Sequence, residues 1–463
     1  MSIPKTVSEA LESLEVEYSI ISSEEHLSGK ATAEFLGTKA KGLLRVVCLK
    51  GNEKPIAVVL PYNSLLDIRQ FEEDTGHHLD MMSDQDAGKL FKGCESGQRP
   101  AVPGAFEVNW IVDSSVLKLD QAFLNSGNSK MILSIEQSEL AKLFESATHT
   151  DFTVSSEELY TGRVAGQSNG GDLDVSFTPL RLKQRVDETF DLPAMPEIAQ
   201  DIMKLRVDPS ADAAKLAAIV CRDPSLAAQV ISWASSPYYG YQGKVDSVET
   251  AIARVLGFEL VMNLALGISI GKSLKVPFDG PLGIRQFWKQ AIYSANLAEK
   301  LCRSMPIKQR PERGLIYLSG LLHNFGHLLL GHVFPPQFEL VNRTIEANPH
   351  ISIEDIEFYI LGVTHEEIGA WLMHNWHMPD ELIVAVRRHH QEEFWSKHAV
   401  YSNLVLVANR LLKRLGIGDS VETELPASTL ELLSLDPEKV EESLKDIESE
   451  SENLDSMAKQ LVA

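Results

Sequence analysis

The hydrophobic pattern of this chain changes period across one polar stretch, and no single core accommodates both halves. Before the stretch, helix and strand signals alternate. Val7, Leu11 and Leu14 recur at helical spacing, residues 43–49 and 56–60 read as two strands turned through Gly51-Asn52, and residues 65–71 read as a helix. Residues 110–112 and 130–133 read as further strands. After the stretch the pattern is helical to the end. Between them, residues 146–178 are dominated by Ser, Thr, Gly and Asp, and Gly166-Gln167-Ser168-Asn169-Gly170-Gly171 is a flexible-linker signal. A length of 463 residues allows two or three domains, each with its own core. The expectation is a multidomain chain: an α+β domain over 1–146, a linker over 147–180, an all-α bundle over 181–418, and an acidic helical tail over 419–463.

The helical half carries its own start signals. Asp223-Pro224 places an N-cap before a proline whose missing N–H costs nothing at the first helical position. Ser247 caps a helix carrying Ile252, Val255 and Leu256, and Met378-Pro379-Asp380 opens one that ends in His389-His390. In the tail, Leu432, Leu433, Leu435, Val440, Leu444 and Ile447 predict an amphipathic helix lying on the bundle and fraying through Glu448 to Asp455.

Charge and cysteines exclude several function classes. A net charge of −22 repels phosphate backbones, so nucleic acid is a disfavoured partner. Residues 1–146 alone hold 22 Asp/Glu against 14 Lys/Arg. Cys48, Cys94, Cys221 and Cys302 are scattered, which fits reduced thiols rather than a disulfide framework or a zinc ribbon. Met1-Ser2-Ile3-Pro4-Lys5 has no apolar signal core, and the most apolar run, residues 260–270, is too short to span a bilayer. A cytoplasmic location with no membrane partner is expected.

The chemistry-bearing stretch is Leu321-Leu322-His323-Asn324-Phe325-Gly326. An Asp after the His would supply a hard anionic oxygen for a divalent ion, whereas Asn supplies a neutral carbonyl. Gln290, His365, the pair His389-His390 and Asn409 complete the set. This pattern resembles the HDOD domain, a degenerate relative of the HD and HD-GYP phosphohydrolases. The resemblance covers about residues 185–415 and rests on Leu192-Pro193-Ala194-Met195-Pro196, Cys221-Arg222-Asp223-Pro224-Ser225-Leu226, Trp233-Ala234-Ser235-Ser236-Pro237-Tyr238-Tyr239-Gly240 and Ser247-Val248-Glu249-Thr250-Ala251-Ile252. Leu361-Gly362-Val363-Thr364-His365-Glu366 and Trp376-His377-Met378-Pro379 extend it. It implies an all-helical bacterial domain acting through protein contacts. It also implies that Gln290 replaces a His ligand, and Asn324 and Asn409 replace acidic ones. The Gly-Tyr-Pro segment of cyclic-dinucleotide phosphodiesterases is replaced by Gln391-Glu392-Glu393-Phe394-Trp395.

Residues 1–146 resemble the YbaK and prolyl-tRNA deacylase-like domain. Thr32-Ala33-Glu34-Phe35-Leu36-Gly37, Arg45-Val46-Val47-Cys48-Leu49, Val58-Val59-Leu60-Pro61, Gly93-Cys94-Glu95-Ser96-Gly97 and Asn125-Ser126-Gly127-Asn128-Ser129 carry the likeness. Active members place a Lys where Arg45 stands, and a Gly-Ala-Gly-Ser-like loop where Ser126-Gly127-Asn128-Ser129 stands. Arg keeps the charge, but its planar head is not equivalent to an ammonium.

Each residue also has a structural reading. A His beside an apolar run is often a hydrogen-bonded core residue, and adjacent His389 and His390 point about 100° apart on a helix. His327, His332, His374 and His377 read as surface or capping groups; Glu357, Glu366 and Glu367 could supply a carboxylate but read better as a solvated face; Arg387-Arg388 could contact a phosphate and equally complement the macrodipole. Trp233, Tyr238, Tyr239 and Tyr241 read as a packing cluster. The expectation is a non-catalytic signal-transduction protein meeting protein partners, with no catalytic residues and no two-metal centre. His323, Asn324, His365, His389 and His390 would then form a vestigial site able to hold at most one divalent metal, ligated by His323, His365 and one of the pair. The alternatives are a metal phosphohydrolase on the surviving histidines, or an aminoacyl-tRNA deacylase on Arg45.

Overall fold

The computed structural model describes residues 2–27, 29–51, 53–166 and 193–462. It divides into two compact units: Met1–Gly162 with Arg343–Ile351, and Arg163–Asn342 with Ser352–Ala463.

The first unit is α+β with mixed sheets. Strands β1 (Ser19–Ser22), β7 (Met131–Glu136) and β6 (Gln121–Asn125) form an antiparallel sheet in the order β1-β7-β6. A second sheet runs β2 (Leu44–Leu49), β3 (Ile56–Pro61), β5 (Asn109–Asp113), β8 (Thr148–Thr150). The β2–β3 pair is antiparallel, as the Gly51-Asn52 turn predicts, and β3–β5 and β5–β8 are parallel. All six residues of β3 are buried, which suits an unbroken apolar run in a central strand. Helix α1 (Lys5–Ser13) buries Val7 and Leu11, and they join Val46, Val59, Val112, Leu133 and Phe144 in one core. Helices α2 (Lys30–Leu36), α3 (Ile68–Thr75), α4 (Asp84–Leu90) and α5 (Gln137–Leu143) also belong to this unit, and α6 (Ser156–Gly166) begins in it.

Two expectations change here. Residues 65–71 are not one helix. Leu65 and Leu66 lie in β4 (Ser64–Leu66), paired with β9 (Thr153–Ser155), and Asp67 caps α3 by accepting from the Arg69 and Gln70 N–H groups. Residues 148–155, expected within the tether, add strands β8 and β9, because His149 and Val154 complete ladders whose partners lie far back in the chain. Gly166 ends α6. The rest of that glycine-rich signal, and residues 167–192 of the expected linker and bundle start, lie outside the described residues.

The second unit is helical. Helices α7 (Glu197–Arg206), α8 (Ala213–Val220) and α9 (Pro224–Ala234) precede a turn from Val248 that widens into a π-helix, Ala251–Leu256. Asp223 and Ser247 cap as their sequences predict. Then come α10 (Phe258–Lys272), α11 (Ile284–Ser304), α12 (Arg313–Leu322), α13 (Phe325–Val333) and α14 (Pro335–Ala347), whose last turn belongs to the first unit. Helices α15 (Ile353–Leu361), α16 (His365–Asn375), α17 (Asp380–Arg388), α18 (Ala399–Arg414), α19 (Ala427–Leu432), α20 (Pro437–Ser449) and α21 (Ser451–Val462) finish the unit. Trp233 is buried and Tyr238 meets Tyr239 edge to face, a packing role.

The tail does not fray from Glu448 to Asp455. Helices α20 and α21 both pack on α11, and Leu454, Met457, Ala458 and Leu461 fall at i, i+3, i+4, i+7 and are buried. The Tyr293 hydroxyl fixes the start of α21, donating to Ser451 O (3.0 Å) and Asp455 Oδ1 (2.9 Å).

Candidate functional site

The break between α12 and α13 falls at His323-Asn324 and turns both side chains into the core of the helical unit. Two glycines permit the close approach. A Cβ on Gly326 would lie 1.9 Å from His365 O, and one on Gly369 would lie 3.1 Å from Gly326 N. Helix α13 therefore meets the N-terminus of α16 almost backbone to backbone.

Three imidazoles converge, each held by its Nδ1. His365 Nδ1 meets Glu357 Oε2 at 2.8 Å, His389 Nδ1 meets Val386 O at 2.9 Å, and His390 Nδ1 lies 3.4 Å from Glu354 Oε1. That leaves the three Nε2 atoms for the interior. His365 Nε2 and His389 Nε2 are 3.2 Å apart, and His390 Nε2 lies 3.4 Å from Asp419 Oδ2. Asn324 Oδ1 also faces His389 Nε2 at 3.2 Å. Asp419 is the anion at the centre. Its Oδ1 accepts from Gln290 Nε2 (2.6 Å) and its Oδ2 from Asn324 Nδ2 (2.8 Å). Gly418, at φ +100°, brings it in; a Cβ there would press on Gln290 Nε2 at 3.1 Å.

The electrostatics follow from this arrangement. Burial opposes charge on His390, but Glu354 and Asp419 outweigh it and push the imidazole up to about 10. Burial and the neighbouring imidazoles hold His389 well below the usual range. Burial lowers His323 to about 4 despite Asp419, and its Nδ1–H donates to Gly320 O at 2.8 Å. Glu357 is fully buried, yet His365 and His327 overcome its desolvation and hold it down at about 2.

Among the five expected site residues, Asn324, His365, His389 and His390 come together, with Gln290 beside them. His323 is in the cluster but not at its centre: its Nε2 faces Gln290 Nε2 at 3.3 Å. The ligand set expected on His323 is therefore replaced by His365, His389, His390 and Asp419, whose donor atoms all lie within 4.8 Å of one another. Asn409 does not close the site. It lies on α18 and accepts from Ser294 Oγ at 3.2 Å, packed against α11. His327 is no surface group: it is buried, with Nε2 2.8 Å from Glu357 Oε1. Glu357 accordingly lies on no solvated face. Glu367 is likewise buried, in a capping box with Thr364 and paired with Arg387 at 2.9 Å. His374 and His377 are exposed, and His332 Nδ1 accepts from Lys275 N–H. Sequence reasoning missed Asp419 and placed Glu357, a possible carboxylate donor, on a solvated face. The signal for Asp419 was Gly416-Ile417-Gly418-Asp419, a turn placed directly after α18.

The HD relatives imply divalent ions, and the residues present fit one such ion. Three imidazole nitrogens and one carboxylate suit a zinc-type ion, with Glu357, Glu354 and the Val386 carbonyl orienting the rings. A second set, His327, Glu357 and His365, also brings its donor atoms within 4.8 Å of one another, but it shares His365 with the first and its carboxylate already accepts from both rings, while Gln290 and Asn324 offer only amides.

Residues 192–392 match the HDOD domain family, and residues 24–143 match the aminoacyl-tRNA editing domain family. The structure of a proposed signal transduction protein from Marinobacter aquaeolei VT8 is 34% identical, covers 100% of both chains and superposes with a TM-score of 0.84. The chain belongs to the HDOD-domain proteins that carry an editing-like domain. An HDOD domain protein of unknown function from Geobacter sulfurreducens is 20% identical over 62% of this chain and 99% of its own, with a TM-score of 0.51, and shares the HDOD fold. An uncharacterized protein of Treponema pallidum (strain Nichols) is 25% identical over 258 residues, 55% of this chain; the match spans 48% of that relative's length. Among the described residues, no helix is long and apolar enough to cross a membrane.

Proposed function

We propose that this HDOD protein is a non-catalytic, cytoplasmic signal-transduction protein that works through contacts with a protein partner. The observation that carries the reading is the filling of its polar core. Where a two-metal hydrolase gathers anions around cations, the single central carboxylate, Asp419, takes hydrogen bonds from two amides and an ion pair from His390. The imidazolium supplies a positive charge from within the chain, so the network is close to balanced without an added ion. A metal entering here must first displace the His390 proton, which weakens its binding at neutral pH. A two-metal phosphohydrolase sets a metal-activated water against a second positive centre on the leaving oxygen. The cluster has four donors for one ion, and the nearby Glu357 carboxylate is taken up by His327 and His365 rather than shared with Asp419. The relationship to a protein described as acting in signal transduction agrees with this reading.

The test is turnover on bis-p-nitrophenyl phosphate and on a cyclic dinucleotide, with Mn, Fe, Ni or Zn supplied in turn. The expected rate equals that of an Asp419→Ala variant. A metal-dependent rate at least a hundredfold above that variant would replace this proposal with a phosphohydrolase.

A further inference from the structure

Arg45 stands on β2 where the likeness to editing domains places a catalytic Lys, and its guanidinium is engaged by this chain's own peptide. Nη1 donates to Ala347 O (2.8 Å), and Nη2 donates to Asn348 Oδ1 (2.6 Å) and Ser64 O (3.3 Å). Ala347 and Asn348 belong to the Arg343–Ile351 segment, which, like Ser64, is part of the first unit. Asn348 is fully buried. Its carboxamide reads the backbone of Leu66 on both sides: Leu66 N–H donates to Oδ1 (2.7 Å), and Nδ2 donates to Leu66 O (3.1 Å) and to Thr344 O (2.9 Å). This two-way pairing is the exchange one amide makes with another in a β-ladder, here made by a side chain. A carboxylate could not donate to Leu66 O, and a hydroxyl could not span both groups. Flanking contacts hold the segment at each end. Arg343 reaches Glu72 (2.5 Å) and Leu79 O (3.0 Å), and the His350 ring stacks on Tyr62 at 4.6 Å.

We propose that Arg45 and the Leu66 backbone form a carboxamide-binding subsite whose ligand is Asn348, so that the editing-like fold holds a peptide of its own chain in place of an aminoacyl-tRNA. The replacement of Lys by Arg then has a physical reason. A planar fork can reach a backbone carbonyl, a side-chain carbonyl and Ser64 O together, which an ammonium on a flexible stem does less well. Position 45 serves recognition, and the inference stands whether or not the HDOD unit signals.

The test is site-resolved hydrogen exchange at the Leu66 amide in the full chain. Asn348→Ala and Arg45→Met should each speed exchange at Leu66 at least tenfold, and the double variant should exchange no faster than the faster single variant, because both remove one interaction. Acetamide added to Asn348→Gly should slow Leu66 exchange again, and acetate should not. Should Asn348→Ala fail to fold, Asn348→Asp keeps the Arg45 contact and the acceptor for Leu66 N–H, loses the donors to Leu66 O and Thr344 O, and should exchange at an intermediate rate. Unchanged Leu66 exchange in both single variants, effects that multiply in the double variant, or no response to acetamide would each overturn the proposal.

Discussion

Glu357 is the residue on which the site depends most. Its Oε1 accepts from His327, its Oε2 accepts from both the ring and the backbone N–H of His365, and all three distances are 2.8 Å. Replacing it with Leu removes three charge-assisted hydrogen bonds and leaves His365 N–H, at the start of α16, with no acceptor in a buried setting. It also strands two buried imidazoles. Removing one partner of a buried charged network costs about 3–5 kcal/mol, and a single orphaned buried donor costs about 1–3 kcal/mol. Glu357→Leu should therefore destabilise the helical unit by about 4 kcal/mol or more, and Glu357→Gln, which keeps one acceptor, by about 2–3 kcal/mol. Five of the six tryptophans, at positions 233, 288, 371, 376 and 395, lie in the helical unit, so fluorescence in urea follows that unit. With a slope of about 2 kcal/mol per molar urea, the Leu variant should shift the midpoint by about 2 M and the Gln variant by about 1 M. A Leu variant within about 0.3 M of wild type, at unchanged slope, would refute the reasoning, because the network would then contribute nothing net.

Three further outcomes follow. Gly326→Ala must open a backbone approach of 1.9 Å toward ordinary contact, so it should cost about 3 kcal/mol or more in urea unfolding and displace His365 from His389, which nuclear magnetic resonance of the imidazole nitrogens would detect. His350, buried beside Arg45, is lowered from its ordinary range to about 3, so the unfolded chain takes its proton first as pH falls. Its stabilising contribution is present above about pH 6.5 and is lost toward pH 3 at about 1 kcal/mol per unit, and the stability of His350→Gln should fall less steeply between pH 6.5 and 4.5. Arg45→Lys should yield no deacylation of mischarged tRNA above background, because Ser126 to Ser129 also depart from the active pattern and Asn348 occupies the position; thin-layer separation of released amino acid would reveal a gain.

Much of the fold was legible because its signals are local. The strands at 44–49 and 56–61, the Asp223 and Ser247 caps and the helix ending in His389 all follow from period and capping chemistry within a few residues. What escaped was set by distant partners. Leu65 and Leu66 carry a helix-compatible pattern, yet Val154 and Thr153 draw them into a ladder. Glu448 to Asp455 carries enough charge to suggest fraying, but α11 supplies an apolar surface that the stripe of α21 covers. The candidate site divides the same way. The His-Asn pair and His365 were visible as a motif, whereas Asp419 replaces the expected Asn409 because the Gly418 turn, not a helix position, delivers the carboxylate. Glu357 could not be told from a solvated glutamate until His327 and His365 closed over it.

The central claim is that the HDOD core keeps its charge balance internally and has lost the two-metal centre. Metal content per chain, measured by elemental analysis after loading the full-length protein with excess Mn, Fe or Zn at neutral pH and desalting, tests it most directly. The account predicts no more than one ion per chain, and none in Asp419→Ala. Two tightly held ions per chain would contradict it.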